Sequence, residues 1–380
     1  MIKKLLLILL VLATVCSCRQ DDEIIPDNPQ KAGTTATADE YVGMYVLNEG
    51  NMGSNKCTLD YYDFAAGVYT ADIYPTRNPG EVMELGDVGN DIKTYGSRLW
   101  MVINCSNKVE VANAYTAKSL GHVNIPNCRH LAFSNGYAYV SSYVGKVNGK
   151  SVQGAVYKVD TTSLKVVDTC MVGYQPEEMA VVGNQLFVAN SGGYSGMQGL
   201  GYDNRVSVIS LDSFKVDYNI KVASNLLRVR ADKYGRLWVT TQSNFVTTSA
   251  LYMLKRDKQG RYAVADSINT PVTDFAFAGD SLVYFGSTWD MTAGATYSYG
   301  IINITTGQNT VMKSFGTSTG FSVTTPYAIA MNPANGDFYL ADATNYVSNG
   351  KLLCFSHDLK YKWTVTTGDI PGHICFVKKQ

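Results

Sequence analysis

The sequence predicts an all-β fold, a seven-bladed β-propeller, and three features of the chain indicate it. Residues 41–380 repeat one pattern roughly every 40 to 50 residues: a short apolar segment, a turn containing Gly or Asn, and an aromatic-rich strand. A third and a fourth strand follow each hairpin, which makes the four-stranded antiparallel blade of a propeller. The two ends of the chain each carry part of one further blade, so that seven blades close into a ring.

The blades can be followed in chain order. The segment Met-Tyr-Val-Leu at residues 44–47 looks like a second strand with no first strand before it. Residues 371–376 look like a first strand with nothing after it, so we expect the C-terminal strand to pair into the N-terminal blade. Such closure removes exposed sheet edges. Turns such as Asn135-Gly136 suit the tight hairpins between them. The six complete hairpins span residues 92–102, 131–140, 179–188, 229–239, 275–284 and 329–340.

The first 17 residues predict a lipoprotein signal peptide rather than part of the fold. Two lysines precede an apolar run at residues 5–15, which is shorter than the roughly 20 residues needed to span a bilayer. Residues 15–18, Val-Cys-Ser-Cys, resemble a bacterial lipobox, in which a small residue precedes the cysteine that receives lipid. We therefore predict lipidation at Cys18, with ordinary secretion as the alternative.

An acidic segment and a linker follow the lipidated cysteine. Residues 19–23, Arg-Gln-Asp-Asp-Glu, resemble the acidic tag that directs lipoproteins of Bacteroidetes-type bacteria to the cell surface. Residues 24–40 are rich in Pro, Asp, Thr and Ala, which is typical of a solvated linker. We expect residues 18–40 to form a flexible tether and residues 41–380 to form the propeller. The protein is then lipid-anchored in the outer membrane and exposed at the cell surface.

The composition argues against nucleic acid as a partner. Thirty-two Lys and Arg residues balance thirty-two Asp and Glu residues, so no net charge attracts a polyanion. Six cysteines follow the lipobox, none in Cys-x-x-Cys spacing, which argues against a zinc or redox site. Cys105 and Cys128 fall near the same face on adjacent blades and are the candidate disulfide. Burial as free thiols is the alternative.

Ionisable residues recur at one position of the blades, directly before the apolar residues of each first strand. First strands line the channel of a propeller, so we expect this position near the channel mouth. Six of the seven residues are ionisable, although Asp, Glu, Lys and Arg make up 17% of the chain, which favours a polar-ligand or metal site. The alternative is a water-filled channel that tolerates polar residues without a ligand. In chain order the seven are Asp91, His130, Glu178, Arg228, Asp274, Ala328 and His373.

The loops after the second strands are expected at the same mouth, and they are rich in amides, hydroxyls and aromatic rings. This mixture favours a large amphipathic organic ligand, because rings cover apolar surface and amides pair with amides. Turn formation by Asn, Ser and Gly explains part of the composition but not the repeated Tyr and Trp. The candidate ligand-binding residues from these loops are Glu49, Asn51, Tyr143, Tyr194, Trp289, Asp290 and Tyr346.

The sequence carries little that points to catalysis, and we expect a protein that is not an enzyme. No Gly-x-Ser-x-Gly elbow occurs, and the four histidines show no metal-ligand spacing. Asp91, Glu178 and Asp274 together offer the oxygen ligands that Ca²⁺ favours. A Ca²⁺-dependent hydrolase of the propeller-lactonase kind therefore stays open.

Three features together resemble a known group of proteins. They are the lipobox with its acidic tail, the opening Tyr-Val-Leu-Asn-Glu-Gly at residues 45–50, and repeats of Pro-x-x-apolar-Ala type. The group is the YncE-like propeller lipoproteins of Bacteroides, and within it the sequence is most similar to the BtuG family of corrinoid-binding proteins. The resemblance covers the chain from the lipidated cysteine to the last strand and supplies no motif for individual contact residues.

The resemblance implies a function at the cell surface. It implies capture of corrinoids such as cobalamin (vitamin B12) and delivery to a TonB-dependent transporter in the outer membrane. No cofactor is then required, and the corrinoid is the bound ligand. A propeller that binds a glycan or a protein is the alternative, and a Ca²⁺-dependent hydrolase or lactonase is a further one.

Overall fold

The computed structural model describes residues 29–33, 40–81, 84–147, 150–199, 201–243, 248–290, 292, 294–315 and 321–380. These residues form seven antiparallel blades whose first strands lie side by side around a channel, which confirms the predicted seven-bladed β-propeller. Within these ranges, no helix has the length and apolar character needed to cross a membrane. The predicted signal peptide and Cys18 lie outside the described residues.

The first four blades occupy the N-terminal half of the chain. Blade 1 contains β1 (Pro29–Lys31), β2 (Tyr41–Asn48), β3 (Thr58–Asp63) and β4 (Val68–Thr70), followed by helix α1 (Ile73–Arg77). Blade 2 contains β5 (Gly89–Tyr95), β6 (Arg98–Ile103), β7 (Lys108–Asn113) and β8 (Ser119–Asn124). Blade 3 contains β9 (Cys128–Ser134), β10 (Tyr137–Ser142), a small hairpin of β11 (Lys146–Val147) and β12 (Lys150–Ser151), then β13 (Ala155–Asp160) and β14 (Lys165–Met171). Blade 4 contains β15 (Pro176–Val182), β16 (Gln185–Asn190), helix α2 (Gly193–Met197), β17 (Arg205–Ser210) and β18 (Lys215–Lys221).

The other three blades and the closing strand follow. Blade 5 contains β19 (Leu226–Ala231), β20 (Leu237–Thr241), β21 (Leu251–Arg256) and β22 (Tyr262–Ile268). Blade 6 contains β23 (Asp274–Ala278), β24 (Ser281–Asp290), β25 (Gly294–Asn303) and β26 (Asn309–Met312). Blade 7 contains β27 (Pro326–Met331), β28 (Phe338–Asp342), β29 (Asn349–Phe355) and β30 (Tyr361–Asp369). The last strand is β31 (Pro371–Lys378).

The ring closes as the sequence predicts, because β31 completes blade 1. It pairs antiparallel with β2, with Met44 opposite Phe376 and Val46 opposite Ile374. Met44 and Val46 are fully buried. The C-terminal strand is therefore the first strand of the N-terminal blade, and β2 is paired on both of its edges, with β3 and with β31.

One part of the predicted flexible linker is ordered against the propeller. β1 pairs with β4 and adds a fifth strand to the outer edge of blade 1. The Gln30 amide also donates to the Thr366 carbonyl at 2.7 Å, and its oxygen accepts the Thr366 N–H at 2.8 Å. This double contact with β30 holds Pro29–Lys31 in place, which the composition of residues 18–40 does not predict.

The core is divided among the blade interfaces. Seven apolar clusters are found in the described structure, one between each pair of neighbouring blades. Between blades 1 and 2, for example, Tyr45 packs against buried residues of β6, and its hydroxyl donates to the Ala114 carbonyl at 3.0 Å. Because each blade packs on its two neighbours, the apolar core is divided among the blade interfaces and no single core becomes oversized.

Six of the seven first strands carry a register shift at the end nearest the loops that follow the second strands. In β5 the pairing shifts between Gly89 and Asp91, and in β15 it shifts between Pro176 and Met179. A bulge adds one residue and re-aims the side chains beside it. Two consecutive side chains of these strands therefore approach the channel, whereas regular alternation directs only one.

Candidate functional site

A cavity of about 590 Å³, here called the mouth cavity, opens where the loops after the second strands meet. Aromatic rings and neutral hydroxyl and amide groups make up much of its lining, including Tyr297, Tyr327, Thr241 and Gln242. The sequence-predicted residues that line it are Glu49, His130, Arg228, Trp289, Tyr346 and His373. The structure thus brings together residues from blades 1, 3, 5, 6 and 7 that the repeat argument selected separately.

A second cavity of about 790 Å³, here called the channel cavity, reaches the turns at the opposite end of the ring. Arg228 and His373 line both cavities and so lie where the two meet. The predicted ring is therefore divided between the two cavities instead of lying at one mouth. Its members that line only the channel cavity are Asp91, Glu178, Asp274 and Ala328.

The other loop candidates lie beside the mouth cavity. The rings of Tyr143 and Tyr194 meet edge to face with centroids 5.6 Å apart. Asn51 donates from Nδ2 to the Tyr346 carbonyl at 2.6 Å and so links the loops of blades 1 and 7. The side chain of Asp290 lies outside the described residues.

Sequence reasoning missed four residues that the bulges bring to the mouth. Asn90, Arg129 and Tyr327 line the mouth cavity, and Glu177 bonds to Arg129. Each of the four directly precedes a residue of the predicted ring in the sequence. They were not predicted because only one channel residue was expected from each first strand. A signal was present, because the consecutive ionisable pairs Arg129-His130 and Glu177-Glu178 are unusual within apolar strands.

Arg129 and the buried Glu177 form a largely buried ion pair beneath the mouth. Nε and Nη2 of Arg129 both lie 3.3 Å from Oε2 of Glu177, and Nη1 donates to the Asn90 side chain. The Arg129 guanidinium also lies 4.7 Å from the centroid of the Tyr143 ring. Oε1 of Glu177 accepts the Tyr143 hydroxyl and, at 3.1 Å, the Ser191 hydroxyl. These bonds join blades 2, 3 and 4 and fix the ring of Tyr143.

The same contacts set the protonation state of the pair. Burial raises the pKa of Glu177, but Arg129, His130 and Tyr143 outweigh it and lower this pKa to about 2. Burial, Glu177 and Tyr194 together raise the pKa of the Tyr143 hydroxyl well above its usual value. At neutral pH, Glu177 is therefore a carboxylate and Tyr143 is a neutral donor to it.

The place where the two cavities meet, around Arg228 and His373, is here called the channel neck. Two histidines face each other there. The ring centroids of His130 and His373 are 6.3 Å apart, and both rings are buried. Nδ1 of His130 lies 3.7 Å from Asp91, and its Nε2 lies 3.7 Å from Glu177. Nε2 of His373 lies 3.0 Å from Oε1 of Glu49. Both imidazoles are thus held by carboxylates.

Glu49 ties the first blade to the last. Its Oε2 accepts the Tyr327 hydroxyl at 2.8 Å, while its Oε1 meets His373. Burial, followed by the charge of Glu49, raises the pKa of Tyr327 well above its usual value, so this hydroxyl stays protonated and donates. Both carboxylate oxygens of Glu49 are therefore already engaged.

The three predicted channel carboxylates hold neighbouring blades together. Each accepts a backbone N–H from the first strand of the next blade, at distances of 2.8 to 3.4 Å. The pairs are Asp91 with Leu131, Glu178 with Val229, and Asp274 with Ile329. The position that the repeat selected thus has a structural role at three of the blade interfaces.

Cations complete these carboxylate sites. Lys93 lies 3.3 Å from Asp91, and Arg230 lies 3.0 Å from Glu178 and 2.9 Å from Asp274. Burial raises the pKa of Asp91 and of Glu178, but nearby cations outweigh it, and both pKa values are lowered overall. The largest lowering contribution comes from Lys93 for Asp91 and from Arg230 for Glu178. Among the residues that the structure describes, no three His, Cys, Asp or Glu side chains are placed to share a metal ion.

The three most exposed of the large apolar side chains that the structure describes lie on the loops around the mouth. Met52 is 74% exposed, Met197 72%, Val347 69% and Trp289 57%, and Tyr194 and Tyr346 are also exposed. These residues follow or end the second strands of blades 1, 4, 6 and 7. A cluster of exposed apolar groups on one face indicates an interaction site.

Blade 6 carries a hairpin that extends the lining of the mouth. β24 and β25 pair over ten residues each, as far as Asp290 opposite Gly294. Ser287 lies opposite Tyr297 and Trp289 opposite Ala295, and all four line the mouth cavity. The length of this hairpin therefore decides that Trp289 and Tyr297 lie at the mouth.

The candidate disulfide is not formed, and Cys105 and Cys128 are both free thiols. Cys128 is buried, and its thiol donates to the Lys108 carbonyl at 3.3 Å. Burial raises the pKa of Cys128 to about 12 and also raises that of Cys105, so neither is a reactive thiolate at neutral pH.

Fold and site together define a seven-bladed β-propeller with an aromatic, partly charged mouth. Residues 42–200 match a family model described as a domain of unknown function, DUF5074. This match runs from β2 in blade 1 through blades 2 and 3 to helix α2, after the first two strands of blade 4. No curated protein matches the chain.

Solved structures share the fold at low sequence identity. Hydrazine synthase of Kuenenia stuttgartiensis is similar with a TM-score of 0.61 at 16% identity, over 76% of this chain and 89% of that one. A protein of unknown function from Desulfotomaculum acetoxidans has a TM-score of 0.61 at 10% identity, over 89% and 99%. A quinoprotein alcohol dehydrogenase-like protein from Bacteroides thetaiotaomicron has a TM-score of 0.54 at 14% identity, over 88% and 78%. These likenesses concern the fold alone.

Proposed function

We propose that this protein is a cell-surface lipoprotein that binds a corrinoid such as cobalamin at the mouth cavity and passes it to a TonB-dependent transporter. The observation that carries ligand binding is that two exposed aromatic rings, Trp289 and Tyr346, line the mouth cavity, while the loops around it carry the three most exposed apolar side chains of the described structure. Soluble proteins seldom expose a contiguous apolar patch without a partner for it. The corrinoid as ligand rests on the resemblance of the sequence to the BtuG family.

The chemistry of the mouth suits a corrinoid. Such a ligand is a broad macrocycle with amide side chains around its rim, so it needs apolar surface under the ring and polar neighbours around it. Trp289, Tyr297 and Tyr346 offer aromatic surface, while Thr241 and Gln242 offer hydroxyl and amide groups. A cavity of about 590 Å³ takes part of so large a ligand, and the exposed loops are available to the rest.

The ion pairs beneath the mouth favour tight binding by preorganisation. Glu177 fixes Arg129 and Tyr143, and Glu49 fixes His373 and Tyr327. Side chains that are already ordered lose little freedom when a ligand binds. The free energy of ligand contacts is then available for affinity.

The membrane part of the proposal concerns the lipid anchor and the partner. Lipid at Cys18 would keep the propeller at the outer membrane, at the end of a tether that precedes β1. Met52, Met197 and Val347 are exposed but do not line the mouth cavity. We propose this outer rim as the surface that meets the transporter.

Calorimetric titration with cyanocobalamin tests the ligand. We expect the purified full chain to bind one equivalent with nanomolar or tighter affinity, and EDTA to leave this unchanged because no bound metal is required. No heat and no spectral change at micromolar concentrations would contradict corrinoid binding. A titration that requires Ca²⁺ would instead favour the hydrolase.

A glycan is the second candidate ligand, because exposed rings such as Trp289 and Tyr194 can stack on sugar faces. Binding on a glycan array by a protein that ignores cyanocobalamin would favour this alternative. In either case we propose a binding protein without a catalytic step.

A further inference from the structure

Arg228 differs from the other cations of the channel neck in having uncommitted hydrogen-bond donors. It lines both cavities, and its side chain is 12% exposed. Its Nε is buried and makes no hydrogen bond, and none of its guanidinium nitrogens donates to another described residue. Its one ionic contact is Asp274, with Nε 3.4 Å from the carboxylate.

The neighbouring arginines are fully engaged by comparison. Arg129 is bound by Glu177 and Asn90, and Arg230 is bound by Glu178, Asp274 and the Phe275 carbonyl. The oxygens of Asp274 also accept two backbone N–H groups. Asp274 therefore has other partners besides Arg228, and no hydrogen bond to a described residue uses the guanidinium fork of Arg228.

We propose that Arg228 recognises a phosphate-type oxyanion that enters the neck from the mouth cavity. A guanidinium presents a planar fork of donors that matches phosphate in two-point contact. Buried donors without partners are costly, so a site of this kind is expected to have a ligand for them. Partial exclusion of water from the neck strengthens the ionic contact.

The charges around Arg228 permit this binding. Asp91, Glu178 and Asp274 are the nearby carboxylates of the channel; Lys93 pairs with Asp91, Glu178 and Asp274 share Arg230, and each carboxylate also accepts a backbone N–H. An incoming anion therefore meets carboxylates that are already engaged. Thr241 and Thr273 line the mouth cavity with Arg228 and place hydroxyls near the same entrance.

This inference goes beyond the proposed function, because it holds for any ligand that carries such a group. Cobalamin is one such ligand, since its nucleotide loop contains a single phosphodiester. A glycan phosphate or a free organic phosphate has the same chemistry. The inference and the corrinoid proposal can therefore fail separately.

Titration of the purified full chain with inorganic phosphate, followed by ³¹P NMR and calorimetry, tests the site. We expect saturable binding that weakens by about tenfold or more in Arg228→Gln, because a charged hydrogen-bonded contact is lost. Arg228→Lys keeps the charge without the fork and is expected to bind with intermediate affinity. Acetate in place of phosphate shows whether a carboxylate is accepted.

The matched control is Arg205→Gln. Arg205 lies at the same end of the blades, pairs with Asp203 at 3.0 Å and does not line either cavity. The substitution Arg205→Gln removes one positive charge, as Arg228→Gln does, but outside both cavities. It is therefore expected to leave phosphate binding unchanged. Far-UV circular dichroism and thermal unfolding show whether each variant is folded. If Arg228→Gln does not fold, Arg228→Lys replaces it in the comparison of phosphate affinities.

The outcomes separate the two proposals. Loss of phosphate binding in Arg228→Gln but not in Arg205→Gln supports the anion site, whether or not cyanocobalamin binds. Failure of phosphate to bind the wild-type chain, or equal binding to both variants, overturns it. If cyanocobalamin also binds equally to the wild type and Arg228→Gln, the corrinoid proposal survives without the anion site.

Discussion

At the scale of single residues, the bulges give adjacent ionisable residues different roles. In β15, Glu177 bonds to Arg129 beside the mouth cavity, while Glu178 accepts the Val229 N–H and holds blade 5. In β9, Arg129 and His130 are likewise consecutive; both lie near Glu177, but Arg129 also bonds to Asn90, whereas His130 also lies near Asp91. The extra residue of a bulge allows both side chains to approach the channel.

Replacement of Glu177 by Gln is expected to destabilise the propeller by about 3 kcal/mol, because it leaves the charge of Arg129 without its carboxylate in a largely buried site. Denaturant unfolding of the two proteins measures the difference. Glu40→Gln is the control, since Glu40 and Lys378 form an ion pair in which both side chains are more than 60% exposed. Its cost is expected to be below about 1 kcal/mol. Equal effects of the two substitutions would contradict the structural role of Glu177.

The pH dependence of stability follows from the same carboxylate. The pKa of Glu177 is about 2 in the folded protein against an ordinary 4.5, so its ionised form favours the folded state. This stabilisation is fully present above pH 4.5 and is lost as the pH falls toward 2. We therefore expect the difference in unfolding free energy between wild type and Glu177→Gln to shrink over that interval. Parallel stability curves at all pH values would show that Glu177 titrates normally.

At the scale of elements, the long hairpin of blade 6 shows how loop length creates a surface. β24 and β25 continue beyond the pairing that the blade needs, and the added residues carry Trp289 to the mouth. A side chain that is 57% exposed contributes little to folding, so its position points to binding.

Trp289→Ala is therefore expected to leave unfolding free energy within about 0.5 kcal/mol of wild type and to weaken cyanocobalamin binding about tenfold or more. Calorimetry and denaturant unfolding measure the two effects. Val311→Ala is the control, because Val311 is 59% exposed in β26, at the outer edge of the same blade. Equal affinity of the Trp289 and Val311 variants would exclude the hairpin from the ligand site.

At the scale of the whole molecule, β31 joins the two ends of the chain. It pairs with β2 along most of its length and lies beside β5 and β27, the first strands of the neighbouring blades. Side chains of β31 pack in the apolar clusters on both sides of blade 1, against blades 2 and 7. The last ten residues therefore support both interfaces that close the ring.

Deletion of residues 371–380 is expected to abolish the single folded state, because it exposes the edge of β2 and opens the interfaces on both sides of blade 1. Size-exclusion chromatography should show aggregated or unfolded protein, and circular dichroism should show no cooperative unfolding. Deletion of residues 379–380 removes one backbone bond, from Lys379 to Glu40, and should leave a stable monomer. A cooperative monomer from the longer deletion would contradict closure through β31.

The fold and the closure of the ring can be predicted from local features of the sequence. Apolar segments, glycine turns and aromatic strands recur often enough to count blades, and the incomplete repeats at Met44 and Ile374 predict that the ends pair. These features are local, because hydrophobic alternation and turn chemistry act within one hairpin. The repeat also selected Asp91, Glu178 and Asp274 as one set, and the structure gives them one shared contact pattern.

Which of these residues reach the mouth depends on pairing between strands and packing between blades. Asn90, Arg129, Glu177 and Tyr327 depend on bulges, and a bulge depends on pairing with the neighbouring strand, which composition does not specify. The division of the channel into two cavities and the uncommitted donors of Arg228 likewise arise from contacts between blades that are far apart in sequence. Such contacts are properties of the closed ring, so no single repeat contains the information for them.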